Sequence, residues 1–259
     1  MVGSAIAQTV VIDPGHGGSR QAGVNDGSQA SHGASHNNAA ITIGRQKFYE
    51  KDLTLSYSTA LATELKKRGI RVALTRTDDS SPSAIQRAAT AVENHADVFL
   101  SIHFNGGGGH GARSYIVAED HARWEYMHFT NPYHQRDAAL GKALCLGLDR
   151  AFSPFGGKPS ATKVFNDTKY PKPANGYGSG NLKDGIRSIG YARMDPHLHQ
   201  AAVVLLEVEF LDNPAVARFL TTEKGKKAAV TAMADTLQNW LTTTSKRHRT
   251  SAPRKAPGR

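Results

Sequence analysis

Three apolar runs in this chain each lead to a group that can bind a metal or carry a proton. Val10-Val11-Ile12 runs through Asp13-Pro14-Gly15 to His16, Val98-Phe99-Leu100-Ser101-Ile102 runs to His103, and Val203-Val204-Leu205-Leu206 runs to Glu207. A fourth group, Glu50, lies between the first two. Two imidazoles and one carboxylate, His16, His103 and Glu50, make up the open three-ligand zinc site of hydrolases. Its fourth position holds a water whose pKa the ion lowers towards neutrality. Such a site needs a separate carboxylate to take that proton and pass it to the leaving group. Glu207 stands at a strand end for this task. Glu209 is its rival, because it shares the strand parity. Glu207 is closer to the apolar run, hence more desolvated and easier to tune.

The three runs read as strands buried on both faces, since apolar residues fill both parities. In open parallel sheets the region just beyond the carboxyl ends of the strands is where ligands bind. Topology alone therefore aims His16, His103 and Glu207 at one sheet edge. Glu50 opens a helix, and at 100° per residue Leu53, Tyr57 and Leu61 lie on its side of that helix. The carboxylate points inward and needs a partner there. The spacing leaves two readings open, a metal ligand or a first-turn glutamate serving its own helix N-terminus.

Strand and helix signals alternate, which predicts an α/β fold. We expect a single domain with a mostly parallel twisted sheet of about six strands and helices on both faces. The strands are expected at Gln8–Asp13, Ile70–Thr75, Asp97–Ile102, Ser114–Ala118, Ile189–Arg193 and Val203–Val208. The helices are expected at Glu50–Arg68, Pro82–His95, Asp137–Phe152 and Glu223–Thr242. Ser19–Phe48, Glu119–Arg136 and Pro154–Gly180 read as long loops.

The 259 residues carry a net charge of +10, of which six units come from Lys246, Arg247, Arg249, Arg254, Lys255 and Arg259. That segment has no acidic residue and no apolar period. The expected division is a catalytic domain over 8–243 and a disordered basic tail over 244–259. The tail either solubilises the protein or grips a polyanion. No nucleic-acid motif stands behind it, so nucleic acid is not expected as the partner. The single cysteine, Cys145, excludes an internal disulfide and reads as a core thiol rather than a nucleophile. No apolar run is long enough to span a bilayer. Met1 to Gln8 has neither a charged start nor an adequate apolar stretch, so no secretory signal is expected there. An external role then calls for a removed leader, release by lysis or a dedicated secretion system.

Weaker signals receive plainer readings. Gly106 to Gly109 lacks the following Gly-Lys-Ser/Thr of a P-loop. His197 and His199 read as surface histidines. Trp124, Tyr126, Phe129 and Tyr133 form either a substrate-facing lid or the contacts of an extra helix.

Six blocks, in order, carry a family resemblance. They are Ile12-Asp13-Pro14-Gly15-His16-Gly17-Gly18, Glu50-Lys51-Asp52-Leu53, Leu74-Thr75-Arg76-Thr77-Asp78, Ala96 to Asn105, Gly111 before a strand, and Leu206-Glu207-Val208-Glu209-Phe210-Leu211-Asp212-Asn213-Pro214. On these the chain resembles the zinc-dependent N-acetylmuramoyl-L-alanine amidases of the third amidase class, which cut peptidoglycan, over most of Val10 to Trp240. The resemblance implies one Zn²⁺ per chain on His16, Glu50 and His103, with Glu207 as the catalytic carboxylate. Asn105, Arg193 and Glu209 become candidates for substrate contact, Arg193 as a carboxylate clamp. The implied partners are peptidoglycan, an anionic wall polymer held by the tail, and a regulatory or immunity protein. The implied place of action is the periplasm or the extracellular wall. Two other readings accompany the amidase: a non-catalytic wall-binding module of the same fold, and a zinc peptidase cutting within the stem peptide. Two departures from the family pattern stand out. The stretch between His16 and Glu50 is longer than usual. Val208-Glu209 also replaces the family's small residue and glycine before Phe210.

Overall fold

The sheet is assembled around its most apolar strands. A computed structural model describes residues 8–18, 40–106, 109–117, 120–124, 127–156, 163–166 and 184–251. In chain order the strands are β1 (Thr9–Pro14), β2 (Ala40–Ile43), β3 (Gln46–Tyr49), β4 (Arg71–Leu74), β5 (Val98–Asn105), β6 (Arg113–Ile116), β7 (Asp120–Trp124), β8 (Met127–Thr130), β9 (Lys163–Asn166) and β10 (Ala202–Phe210). The helices are α1 (Glu50–Lys67), α2 (Ala84–Glu93), α3 (His134–Gly156), α4 (Asp184–Met194), α5 (Pro214–Leu220) and α6 (Glu223–Ser251). The main sheet runs β4-β1-β5-β10-β6-β9. β4, β1, β5 and β10 are mutually parallel, β6 is antiparallel to β10, and β9 is parallel to β6.

Every residue of β1, β5 and β10 is buried. Their alternate side chains feed two cores. Val10, Ile12, Leu100, Ile102, Val204 and Leu206 meet Leu53, Leu61, Leu144, Met233 and Leu237 from α1, α3 and α6. Val11, Phe99, Val203 and Leu205 meet Ala88, Ala91, Ile189 and Ala192 from α2 and α4. Each fully buried Val, Leu, Ile or Phe contributes about 1.5–3 kcal/mol relative to exposure. The central strands are therefore the rigid part of the molecule, and their carboxyl ends form a fixed platform.

The architecture is the expected mixed α/β domain, with corrections. Five of the six expected strands are present. Ile189–Arg193 belongs to helix α4, and the sheet's sixth strand is β9, inside the stretch read as the loop Pro154–Gly180. Ile189 and Ala192, three apart, face the core as a helix requires, but so short a window does not separate the two periods. The expected loop Ser19–Phe48 ends in the β2–β3 hairpin, and its residues 19–39 lie outside the described residues. The expected loop Glu119–Arg136 contains the β7–β8 hairpin and the first turn of α3. Helix α5 went unanticipated, although Asn213-Pro214 is an N-cap followed by a first-turn proline. The Asn213 side chain accepts from Ala215 N at 3.2 Å. Helix α6 continues to Ser251, into the span expected as tail, and 252–259 lie outside the described residues.

Candidate metal centre

His16, Glu50 and His103 converge although 34 and 53 positions separate them in sequence. His16 Nε2 lies 3.0 Å from Glu50 Oε1. His103 Nδ1 lies 3.1 Å from His16 Nε2 and 3.3 Å from Glu50 Oε1. All three residues are buried. They are the one such cluster found among the described residues, each offering one donor atom and the set lying within 4.8 Å. A tetrahedral ion with ligands at about 2.0–2.1 Å spaces its donors about 3.3 Å apart. Two imidazole nitrogens and a carboxylate oxygen at 3.0–3.3 Å fit such an ion.

Each donor is aimed by its backbone. His16 follows β1 and sits in the left-handed region at φ 61°, with Gly17 at 132° and Gly18 at 84°. A Cβ on Gly17 would lie 2.0 Å from Ser80 O, so this turn requires glycine. A Cβ on Gly15 would meet the His103 ring at 2.4–2.7 Å, so the close packing of loop on imidazole depends on its absence. His103 lies within β5, which continues to Asn105 rather than ending at Ile102. Glu50 is the first residue of α1, and its Oε1 accepts from Phe104 N at 2.9 Å. The carboxylate thus turns to β5 and the two imidazoles, where it is placed to bind a metal with them.

The electrostatics suit a cation. Burial alone would raise the Glu50 carboxyl, but adjacent His16 and hydrogen bonds with both histidines hold it well below the usual carboxylate range. Burial pushes His103 below its ordinary value, against the opposing pull of Glu50. A neutral imidazole beside an ionised carboxylate is the state that ligates a metal.

Glu207 is buried on β10, in register with His103 on β5 and with Arg113 on β6. Neighbouring strands lie about 4.8 Å apart, so Glu207 stands beside His103 on the same face of the sheet. Glu209 behaves differently. The register of β10 against β5 shifts between Glu207 and Phe210, a bulge that ends the shared parity. Glu209 Oε1 accepts from Gly111 N at 2.7 Å and Phe210 N at 2.9 Å, and Oε2 faces His110 Nδ1 at 3.1 Å. Burial raises its carboxyl more than these partners lower it. Asn105 lies at the same sheet edge, two residues beyond His103, and its Oδ1 accepts from Gly106 N at 2.9 Å.

Arg193 is not at this edge. Its Nη2 bonds Asp137 Oδ1 at 2.8 Å and Ala201 O at 2.9 Å, and its Nη1 bonds Leu198 O at 3.2 Å. Asp137 in turn accepts from Val203 N at 2.9 Å, at the amino end of β10. Glu207 is four residues further along that strand, roughly 13 Å away. The expected clamp is therefore a structural ion pair tying α3, α4 and β10 together. Tyr133 belongs to the same cluster, with Arg193 5.5 Å from its ring centroid and the His199 ring at 5.4 Å. His197 pairs with Asp195 in solvent. The side chains of Trp124, Tyr126 and Phe129 lie outside the described residues. Arg193→Met should lower unfolding free energy by about 3–5 kcal/mol, the cost of stranding one partner of a buried pair. Denaturant midpoints measure this, and metal content per folded molecule should not change.

Three buried cations have no role assigned from the sequence, although Lys51 and Arg76 lie in the blocks that carry the resemblance. Lys51, Arg76 and Arg87 surround the His16 loop. The available signal was a polar stripe, Lys51, Thr54 and Ser58, all buried beside the apolar stripe of α1.

Residues 10–239 match the family described as N-acetylmuramoyl-L-alanine amidase. The sporulation-specific N-acetylmuramoyl-L-alanine amidase of Bacillus subtilis (strain 168) is 38% identical over 112 residues, 42% of this chain and 36% of that protein. N-acetylmuramoyl-L-alanine amidase CwlM of Bacillus licheniformis is 41% identical over 109 residues, 41% of this chain and 35% of that protein. The chain thus spans little more than a third of the length of these relatives. The fold is similar to that of the N-acetylmuramyl-L-alanine amidase Ami1 of Mycobacterium smegmatis, with a TM-score of 0.63 at 18% identity, over 93% of this chain and all of that one.

Proposed function

This chain belongs to the N-acetylmuramoyl-L-alanine amidase family, and from that membership and its metal-binding cluster we propose that it is a zinc-dependent hydrolase of peptidoglycan, cutting the amide between the lactyl group of N-acetylmuramic acid and the L-alanine of the stem peptide. The observation that carries the proposal is the convergence of His16, Glu50 and His103 with Glu207 on the neighbouring strand. When bound, zinc polarises the scissile carbonyl and acidifies the attacking water.

The chain's own residues do the rest. The two imidazoles of His16 and His103 and the carboxylate of Glu50 would hold the ion and leave it with net positive charge. Glu207 takes the proton of the attacking water and returns it to the departing amine of L-alanine. Its burial beside His103 keeps bulk water from competing for that proton. Asn105 and Glu209 shape the edge on which the stem peptide lies, Asn105 at the end of β5 and Glu209 through Gly111 N and the His110 imidazole. The substrate fixes the setting as the periplasm or the extracellular wall. The basic residues from Lys246 onward supply charge for an anionic wall polymer. No described helix is long and apolar enough to cross a membrane.

Mass spectrometry of purified sacculi digested with the zinc-loaded protein tests the proposal. Stem peptides with a free L-alanine amino terminus, and glycan strands stripped of peptide, are the expected products. Cuts inside the stem would make it a peptidase. Intact sacculi after digestion by protein with one zinc per chain would make it a binding module.

A further inference from the structure

The loop that presents His16 is held by its carbonyl oxygens. Pro14 O accepts from Arg76 Nε at 3.0 Å and Arg87 Nη1 at 2.8 Å. Gly15 O accepts from Arg76 Nη2 at 2.8 Å and Thr54 Oγ1 at 2.7 Å. His16 O accepts from Arg87 Nη2 at 2.7 Å, and Gly18 O accepts from Lys51 Nζ. All four donor residues are buried.

Arg76 does more than hold the loop. Its Nη2 also reaches Lys51 O at 2.8 Å and Thr54 Oγ1 at 3.1 Å, in the first turn of α1. One planar guanidinium therefore bridges the loop that carries His16 and the helix turn that begins with Glu50. Arg87, from α2, joins the same loop to β1 through Asp13 Oδ1 at 2.7 Å. Asp13 in turn accepts from Ser101 Oγ at 2.7 Å, on the strand that carries His103. Gly15 N closes the circuit on Ile102 O at 2.9 Å. All three metal-binding segments are thus tied to one another through these two arginines and Asp13.

This arrangement is electrostatically expensive. Burial, and then repulsion from Arg87, pull the Arg76 guanidinium down to about 10, still cationic at neutral pH. Arg87 is paired with Asp13 and Lys51 with Asp79, so neither adds attraction for a dication, and Arg76 opposes one by charge. Their contribution must lie in geometry, since Arg alone offers a rigid fork of several donors in one plane. His16 needs such support: a non-glycine residue in the left-handed region is strained by about 1–3 kcal/mol unless its surroundings over-determine it.

We propose that Arg76 and Arg87, assisted by Thr54 and Lys51, are positioning residues of the metal centre, locking residues 14–18 so that His16 meets Glu50 and His103 at ligand spacing before any ion arrives. The inference rests on the metal-dependent reading above. Its prediction is a metal affinity that depends on side chains making no contact with the ion.

The test compares wild type with Arg76→Lys and Thr54→Val. Lysine keeps the charge but loses the fork, and valine keeps the shape but removes one bond to Gly15 O. Each protein is titrated with Zn²⁺ against a competing chelator. The metal-free forms are also melted in parallel. We expect Zn²⁺ binding weakened roughly 10–100-fold in Arg76→Lys, the usual effect of removing an outer partner of a ligand. Thr54→Val should be weakened several-fold. Unchanged Zn²⁺ affinity in Arg76→Lys, with only a lower melting temperature, would overturn the assignment and leave these residues as scaffold. Should Arg76→Lys fail to fold, Thr54→Val decides, and wild-type affinity there overturns the assignment. A wild-type protein that binds no Zn²⁺ would instead defeat the proposed function.

Discussion

Glu207→Gln is expected to retain one zinc per chain and lose at least ~10²–10⁴-fold in turnover, the usual worth of positioned acid–base assistance. Glutamine has nearly the same shape, so the burial beside His103 and the register with Arg113 survive. It cannot take a proton from water, so only the chemical step suffers. Metal analysis together with kinetics on soluble muropeptides separates the two effects. Glu209→Gln is the internal control. Its carboxylate serves the backbone N–H groups of Gly111 and Phe210, so its loss in turnover should stay within about tenfold, equivalent to ~1.4 kcal/mol. A larger loss at Glu209 than at Glu207 would reverse the assignment of the base.

Removal of the metal should abolish activity outright. Chelation leaves His16, Glu50 and His103 in place but takes away the ion that activates water, and added zinc should restore turnover in proportion to occupancy. Full activity in a metal-free preparation would defeat the mechanism. The same ion should stabilise the fold, because a ligand bound only by the native state adds about 2.7 kcal/mol at a free concentration 100-fold above its dissociation constant. Calorimetry with and without zinc reads that shift. Glu50→Ala, which removes the one anionic ligand, should flatten the zinc dependence of the melting temperature.

The positions of the groups at the candidate metal centre were legible because each hangs on a strong local pattern, while their roles came from the family resemblance. His16, His103 and Glu207 follow runs too apolar for anything but central strands, and Glu50 is in phase with Leu53, Tyr57 and Leu61. What escaped depended on distance or on irregularity. The bonds from Arg76 and Arg87 to Pro14 O span 62 and 73 positions, and no window of sequence contains both ends. Arg193 was misassigned because a few residues around Ile189 fit a strand or a helix equally well, and their side of the sheet went with that choice. Glu207 and Glu209 share a parity on paper. The bulge in β10 breaks it, because one inserted residue is enough to redirect a side chain.

Strand order also sets when in its synthesis this chain can complete the candidate site. β10 is the last of the described strands, yet it is inserted between β5 and β6 near the middle of the sheet. All three candidate metal-binding residues have been added to the chain once residue 103 is made, whereas Glu207 is added more than a hundred residues later. A chain that stops short of residue 207 lacks the proposed base. Non-local strand insertion of this kind is slow, because the loop entropy is spent before the pairing is gained. The candidate site is therefore completed last, when the sheet closes around the strand that carries Glu207.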